Sequence, residues 1–537
     1  MNRIALTVLM LAALSGAVFS QPDDAAPAYR IRLALADGEK WWGGAVVHGP
    51  LMPLGDAPYE LQLLGDDLGN QAQPLLVSNR GRYVWCEDPI RIRFDGDSLA
   101  VTSPFSAVIA GSAGTTLREA YREASRRFFP PTGTIPDPLL FTMPQYNTWI
   151  ELMYDQNQAD ILRYARDVVA NGFPPGVIMI DDNWQEDYGV WEFKAERFSD
   201  PRGMVAELHE LGFKVMLWVC PFVSADSPVY RELASRGLLI REDTPEGQPA
   251  IIRWWNGASA LLDFTHPEAG SWFEDQLRHL QETYGVDGFK LDAGDAEYYT
   301  GALRFHRPAH ANAHSELFAR IGLAFPLNEY RACWKMGGQP LAQRLRDKSH
   351  DWNDLQTLIP GILAQGLMGY AYTCPDMIGG GEFGSFLNID HTDPEQIVRS
   401  AQTHALMPMM QFSVAPWRVL DASHLAITRE MALLHAEMGD TILKLARQAA
   451  ESGEPIARHM EYVFPNQGYA DIHDQFLLGD SLLVAPVLTP GARSRTVVFP
   501  PGHWSGDDGS RVTGPAVRTI DAPLERLPRY RRMPESK

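Results

Sequence analysis

Residues 285–295 read GVDGFKLDAGD, three aspartates and a lysine set among apolar residues. Side chains alternate across a strand. Val286, Gly288, Lys290 and Asp292 therefore share one face, and Asp287, Phe289 and Leu291 the other. Phe289 and Leu291 suit a layer packed beneath helices, which turns Lys290 and Asp292 inward. Asp287 falls near the start of the strand, where a turn or surface contact is expected, and Asp295 lies in the loop that follows. Asp292 is thus the reactive candidate. Lys290, on the same face, can keep it ionised and hydrogen-bond a ligand.

A nucleophilic carboxylate needs a second carboxyl group to protonate what leaves. The downstream candidates are Asp347, Asp351 and Asp354 in RLRDKSHDWNDLQTLIPG. Asp351 and Asp354 stand where a helix begins, as N-cap and first-turn residues. Asp347 ends the preceding strand and is free for chemistry. Asp181, Asp182, Arg331 and Asp376 also end apolar strand-like runs. One such ending reads as a helix cap, but so many together read as a site. Trp149, Trp184 and Trp218 sit at other strand ends, beside the Trp254–Trp255 pair. Flat rings suit the C–H face of a sugar, and one member of the pair is expected to be core.

These residues need a scaffold that gathers strand ends. From about residue 140, short apolar strands alternate with longer helical patterns: PGVIMIDD, FKVMLWVCPF, VDGFKLD and LAFPLNEYR are strands, QADILRYARDVVANG and AGSWFEDQLRHLQETYG helices. Eight strand–helix steps predict an α/β fold, a (β/α)8 TIM barrel over residues 136–455, with chemistry at the carboxyl ends of its strands. Residues 21–135 alternate like antiparallel strands and predict an N-terminal β-sandwich. Residues 456–537 predict a small C-terminal β domain ending in a loose Arg- and Pro-rich tail.

The chain has 537 residues, 45% of them hydrophobic, and a net charge of −20. Such a length implies several domains. The charge argues against nucleic acid or an anionic membrane as partner. Asn2–Arg3, the apolar run Ile4–Phe19 and the small residues up to Ser20 predict a cleaved signal peptide, residues 1–20, and a periplasmic or secreted protein. No later run reaches the roughly 20 apolar residues of a membrane span. Cys86, Cys220, Cys333 and Cys374 fit no zinc spacing and are expected as buried thiols.

Over residues 135–505 the motifs resemble glycoside hydrolase family 31. GFKLDAGD is similar to that family's nucleophile strand. DKSHDWNDLQTLIPGILAQGLMGYAYTCPDMIGGG is similar to its acid/base segment and glycine-rich loop, and DQFLLGDSLLVAPVLTPGARSRTVVFPPGHW to its first C-terminal β domain. The resemblance implies Asp292 as nucleophile and Asp347 as acid/base, with Asp181 and Arg331 on sugar hydroxyls and Trp218 and Trp255 on the pocket wall. It also implies retention of configuration on an α-linked glycoside, with no metal or cofactor. Lys290 stands where many α-glucosidase members carry tryptophan, and Ser413 about where they place a sugar-binding histidine. Lysine there, with PDMIGGG, resembles the α-galactosidase-like and sulfoquinovosidase-like branches, and WWNG and KLDAGD resemble the galactosidase-like one. The same scaffold also serves α-glucosidases, α-xylosidases, sulfoquinovosidases and transglycosidases. A non-catalytic carbohydrate-binding protein is the rival of another class. Asn79 and Arg80, in SNRGRYVW, are expected to lend a loop to the pocket.

Two patterns are set aside. His306, His310 and His314 recur every four residues, but Pro308 interrupts the helix a metal site would need. Gly379–Gly384 formally matches a dinucleotide fingerprint but lacks its strand–helix context. Those glycines are expected to form a loop over the pocket.

Overall fold

The computed structural model describes residues 29–387 and 392–534. The expected signal peptide lies outside them. The centre is a parallel barrel whose strands, in chain order, are Gln145–Asn147, Val177–Ile180, Lys214–Val219, Gly288–Leu291, Leu327–Tyr330, Gln343–Arg344, a split seventh strand and Gln411–Phe412. Each strand pairs with its sequence neighbour, and the eighth returns to the first. The seventh strand is Thr373–Cys374 and Met377–Ile378. Pro375, which has no amide donor, and Asp376, at φ +82°, interrupt it.

Helices follow seven of these strands among the described residues. The exception is the step from the fifth strand to the sixth, where a strand–helix unit was expected. Residues 331–342 contain Gly337–Gly338 and Pro340, which disfavour a helix, and form none. Here the chain runs outward, and Cys333–Trp334 pairs with the N-terminal strand Gln71–Ser78. The N-terminal domain covers the barrel at the gap.

That domain holds two antiparallel sheets. One contains Tyr29–Ala34, Ser98–Ser103, Arg91–Asp95 and Tyr59–Gln62; the other contains Trp41–Ala45, Gln71–Ser78, Arg82–Trp85 and Ile109–Ser112. Their apolar faces share one core, with Leu61, Ile92 and Val101 from the first sheet and Trp41, Leu76 and Val84 from the second.

The last domain is a six-stranded antiparallel sheet, and it corrects the expected loose tail. Arg529–Arg532 lies between Leu482–Val484 and Ser494–Gly506. Alternation explains it: Tyr530 faces inward, buried against Phe499 with ring centroids 4.7 Å apart, while Arg529 and Arg531 face out. The arginines hid a strand whose inward side chain is aromatic. All four cysteines are buried free thiols.

Candidate active site

The barrel's carboxyl ends surround a cavity of about 500 Å³. Asp181, Trp218, Trp255, Lys290, Asp292, Arg331 and Asp347 all line it, although they come from five different strands or their following loops. Register explains part of this convergence. Trp218, Lys290 and Glu329 are lateral partners on the third, fourth and fifth strands. All three are buried in one layer, and Trp218 and Lys290 form part of the cavity lining.

Asp292 follows the fourth strand directly. Its backbone N–H donates to the Val219 carbonyl (2.9 Å), so it continues the strand's path. Arg331 donates through Nε to its Oδ1 (2.9 Å) and Trp218 through Nε1 to its Oδ2 (3.1 Å). Burial alone would raise this carboxyl. The charges of Arg331, Lys290 and Arg344 outweigh it and hold Asp292 well below the usual carboxylate range. Asp292 is thus a fully ionised, buried anion.

Lys290 behaves differently from its expected role. Its Nζ donates to Asp181 Oδ2 at 2.6 Å, and both side chains are buried. The main cation on Asp292 is Arg331, and Lys290 acts on it second. Asp295, expected as a plain loop residue, is buried and clamps both terminal nitrogens of Arg331 at 2.8 Å. This fork-on-fork pair fixes the guanidinium plane.

Asp347 has a contrasting setting. Its side chain is 41% exposed, and Arg344 reaches it from below. Arg344 is buried and also bonds Asp376 Oδ1 at 2.7 Å, with Glu329 at 3.3 Å. Asp376 lies wholly beneath the cavity. Burial pushes its carboxyl up to about 7, against the pull of Arg344. Asp351 caps the following helix by accepting from the Asp354 N–H (2.8 Å), and Asp354 takes the Ser349 N–H (2.6 Å). Both cap as expected.

The rim is aromatic. Trp149, Tyr154, Trp255, Tyr298 and Phe383 line it. Of the expected pair, Trp254 is 8% exposed and Trp255 48%, so one is core and one is wall. Trp184 is core too, with its indole N–H donating to the Trp218 carbonyl (2.8 Å).

Asn79 and Arg80 do not reach the cavity. Asn79 accepts from the Lys40 N–H (2.9 Å) and Arg80 donates to the Asp37 carbonyl (3.0 Å), so both close a turn of their own domain. The N-terminal contribution comes from Leu68 and Gly69. There Asp67, buried, accepts from the Ala296 N–H (3.0 Å), and the Gly69 carbonyl accepts from Arg331 (2.5 Å). Leu68 and Gly69 both have positive φ, a turn that DDLGN signals weakly in sequence. Ser413 is also off the cavity: fully buried, it accepts the Ile150 N–H (2.8 Å).

The histidine series is structural. His310 caps its helix by accepting the Ala313 N–H, and His314 stacks on Tyr299 with centroids 4.6 Å apart. Of the glycine run, Glu382 and Phe383 reach the cavity.

A carboxyl-end cavity with Asp292 buried against Arg331 and Asp347 accessible beside it defines a carboxylate-based barrel site. Residues 140–440 match the Glycosyl hydrolases family 31 TIM-barrel domain, and residues 453–533 the Glycosyl hydrolase family 31 C-terminal domain. The chain belongs to glycoside hydrolase family 31. It is 34% identical over 424 residues to the myogenesis-regulating glycosidase of Mus musculus, covering 77% of this chain and 59% of that protein. It is 24% identical to alpha-glucosidase 2 of Bacillus thermoamyloliquefaciens, covering 78% of this chain and 55% of that one. The chain thus spans little more than half the length of these relatives. Its fold matches the Flavobacterium johnsoniae GH31 dextranase complexed with glucose at a TM-score of 0.83 and 20% identity, over 94% of this chain and 66% of that one.

Proposed function

We propose that the chain is a retaining, exo-acting α-glycoside hydrolase that works by double displacement, with a galactosidase-like preference. The observation that carries the reading is the unequal pair of carboxylates on one cavity. Asp292 is buried and held ionised, and Asp347 is half-exposed and reachable by a leaving group.

Asp292 attacks the anomeric carbon and forms a glycosyl ester while Asp347 protonates the departing oxygen. Asp347 then takes a proton from water, which attacks the ester and restores the α configuration. This chemistry calls for carboxyl groups roughly 5–5.5 Å apart. In this reading Asp181 and Arg331 bind hydroxyls of the terminal sugar, and Lys290 orients Asp181 through its 2.6 Å hydrogen bond.

Relatives named as α-glucosidase and alpha-xylosidase support the α-glycoside class. The galacto preference rests on Lys290 at a position where lysine resembles the α-galactosidase-like branch, and on the WWNG segment that carries Trp255.

A proton NMR time course with aryl α-galactoside and aryl α-glucoside in parallel tests both levels. The expected first product is the α-sugar, released faster from the galactoside. β-Sugar first would overturn the pairing of Asp292 with Asp347, and a faster glucoside would overturn the galacto preference. Release from neither would favour a carbohydrate-binding protein.

A further inference from the structure

Trp255 sits at the tip of a hairpin formed by Ile251–Trp254 and Gly257–Leu261. Much of this hairpin is exposed, Ile251 at 46%. Its second strand also pairs with Phe222–Ser224, but only through Ser259–Leu261, so the tip projects beyond that three-stranded sheet and needs other contacts to hold it. Beside the tip, Trp254 packs edge-on against Tyr188 and Phe222, with centroids 4.8 and 4.9 Å apart. At the tip, Asn256 does the work. Its Nδ2 donates to Asp182 Oδ2 and to the Tyr188 hydroxyl (2.8 Å), and its Oδ1 accepts from the Tyr154 hydroxyl (3.1 Å). Tyr188 in turn donates to Asp182 (3.0 Å). Asp182 is buried at the end of the second barrel strand, one residue beyond Asp181. With Asn256 tied there, Trp255 lies over the Arg331 guanidinium, 5.4 Å from the ring centroid. Its free side faces the cavity mouth near Tyr298, with centroids 6.4 Å apart.

We propose that Asp182, Tyr188 and Asn256 form a latch that positions Trp255 as the platform for the leaving group, so that the hairpin selects aglycones presenting a flat apolar ring face, such as a pyranose. The inference rests on the hydrolase reading for its substrates, but the latch itself is a matter of geometry. Asp182, Tyr188 and Asn256 are positioning residues: they act through Trp255. A ring stacked on a fixed platform gains affinity, and a platform free to swing loses part of it to ordering entropy.

The latch is also pH-dependent. Burial, with Asp181 beside it, pushes the Asp182 carboxyl up to about 6. The groups facing it are Asp181 with its Lys290 partner, Tyr188, Tyr154 and Cys220. Ionised, Asp182 only accepts, which matches its donors Asn256, Tyr188, Gln185 and the Asn183 N–H. Protonated, it turns one oxygen into a donor among donors, and the tip loosens.

The test compares an α-linked disaccharide with the matching α-glycosyl fluoride, whose leaving group is a single atom that cannot stack. Asn256→Ala should lower kcat/KM for the disaccharide about tenfold, mostly through KM, and leave the fluoride within about twofold. In the wild type the disaccharide-to-fluoride ratio should fall below pH 6, and in the variant it should be low and flat. Tyr154→Phe should give a smaller change in the same direction and serves if the first variant folds poorly. Equal losses on both substrates, or an unchanged ratio, would overturn the latch. Amide hydrogen exchange across 251–261, corrected for intrinsic rates, reads the latch without catalysis. It should quicken about tenfold in Asn256→Ala, and unchanged exchange would overturn the proposal. If the wild type cleaves neither substrate, the hydrolase reading fails, and exchange alone decides the latch.

Discussion

The floor and the rim of the cavity are built on opposite plans. On the floor, charged groups are matched and, Asp347 apart, buried: Arg331 lies between Asp292 and Asp295, Lys290 on Asp181, Arg344 among Asp347, Asp376 and Glu329. Every one of these groups stands on a barrel strand or within a few residues of one. The rim is aromatic and partly exposed, and its Trp255, Tyr154, Tyr298 and Phe383 come from loops and a hairpin. Charges at low dielectric need fixed partners, because an unpaired buried ion costs several kcal/mol. Aromatic faces need only be held near the right place. Chemistry sits on the rigid part and selection on the adaptable part.

The sharpest break is Asp292→Asn. It keeps the shape of the floor and removes the nucleophile, and kcat on an aryl α-glycoside should fall by roughly 10⁴-fold or more. Wild-type-like turnover would put the chemistry elsewhere. Next, Asp347→Ala should cost roughly 10²–10⁴-fold on poor leaving groups and little on activated aryl ones, since only the former need a proton. Equal losses across a series of aryl leaving groups would remove its acid role.

Arg331→Met tests the floor as an electrostatic unit. It strands two buried carboxylates and should destabilise the protein by about 3–5 kcal/mol in denaturant unfolding. It should also move the acid limb of the pH profile. Asp292 has a depressed value in the folded state, so its contribution to stability is present above its unfolded value, about 3.9, and lost as pH falls through the folded one. Without Arg331 the folded value rises, so that contribution shrinks and is fully lost at a higher pH. A limb that stays in place would show that Lys290 and Arg344 suffice. The smallest effect belongs to Arg80→Ala, a residue of the N-terminal domain that bonds only its own turn. It should leave kinetics unchanged and stability within about 0.5 kcal/mol. A change in KM would reopen its place at the cavity.

The floor was more legible than the rim. Strand alternation assigned Lys290 and Asp292 to the inner face, and cap chemistry separated Asp351 and Asp354 from Asp347. Asp295 was missed because a loop residue carries no periodicity. Arg344 was missed although RLRD puts it three residues before Asp347. On the rim, the Trp254–Trp255 pair announced one wall residue, and only the family resemblance pointed to Trp255. The Leu68–Gly69 turn had only DDLGN to mark it, and SNRGRYVW was the more conspicuous stretch. The missing helix between the fifth and sixth strands was written in Gly337, Gly338 and Pro340, but an even strand–helix rhythm on either side masked it.

By itself the sequence determined most of the barrel strands, the face that carries Lys290 and Asp292, and which family the chain resembles. These follow from periods of two and of 3.6 and from local turn chemistry, all within a dozen residues. Only the tertiary structure decided the partners. Lys290 meets Asp181 across 109 positions, and Arg331 meets the Gly69 carbonyl across 262. Those meetings depend on barrel closure and on the N-terminal domain docking where a helix is absent. A side chain's period says which way it points, and the packing of distant elements says what it meets.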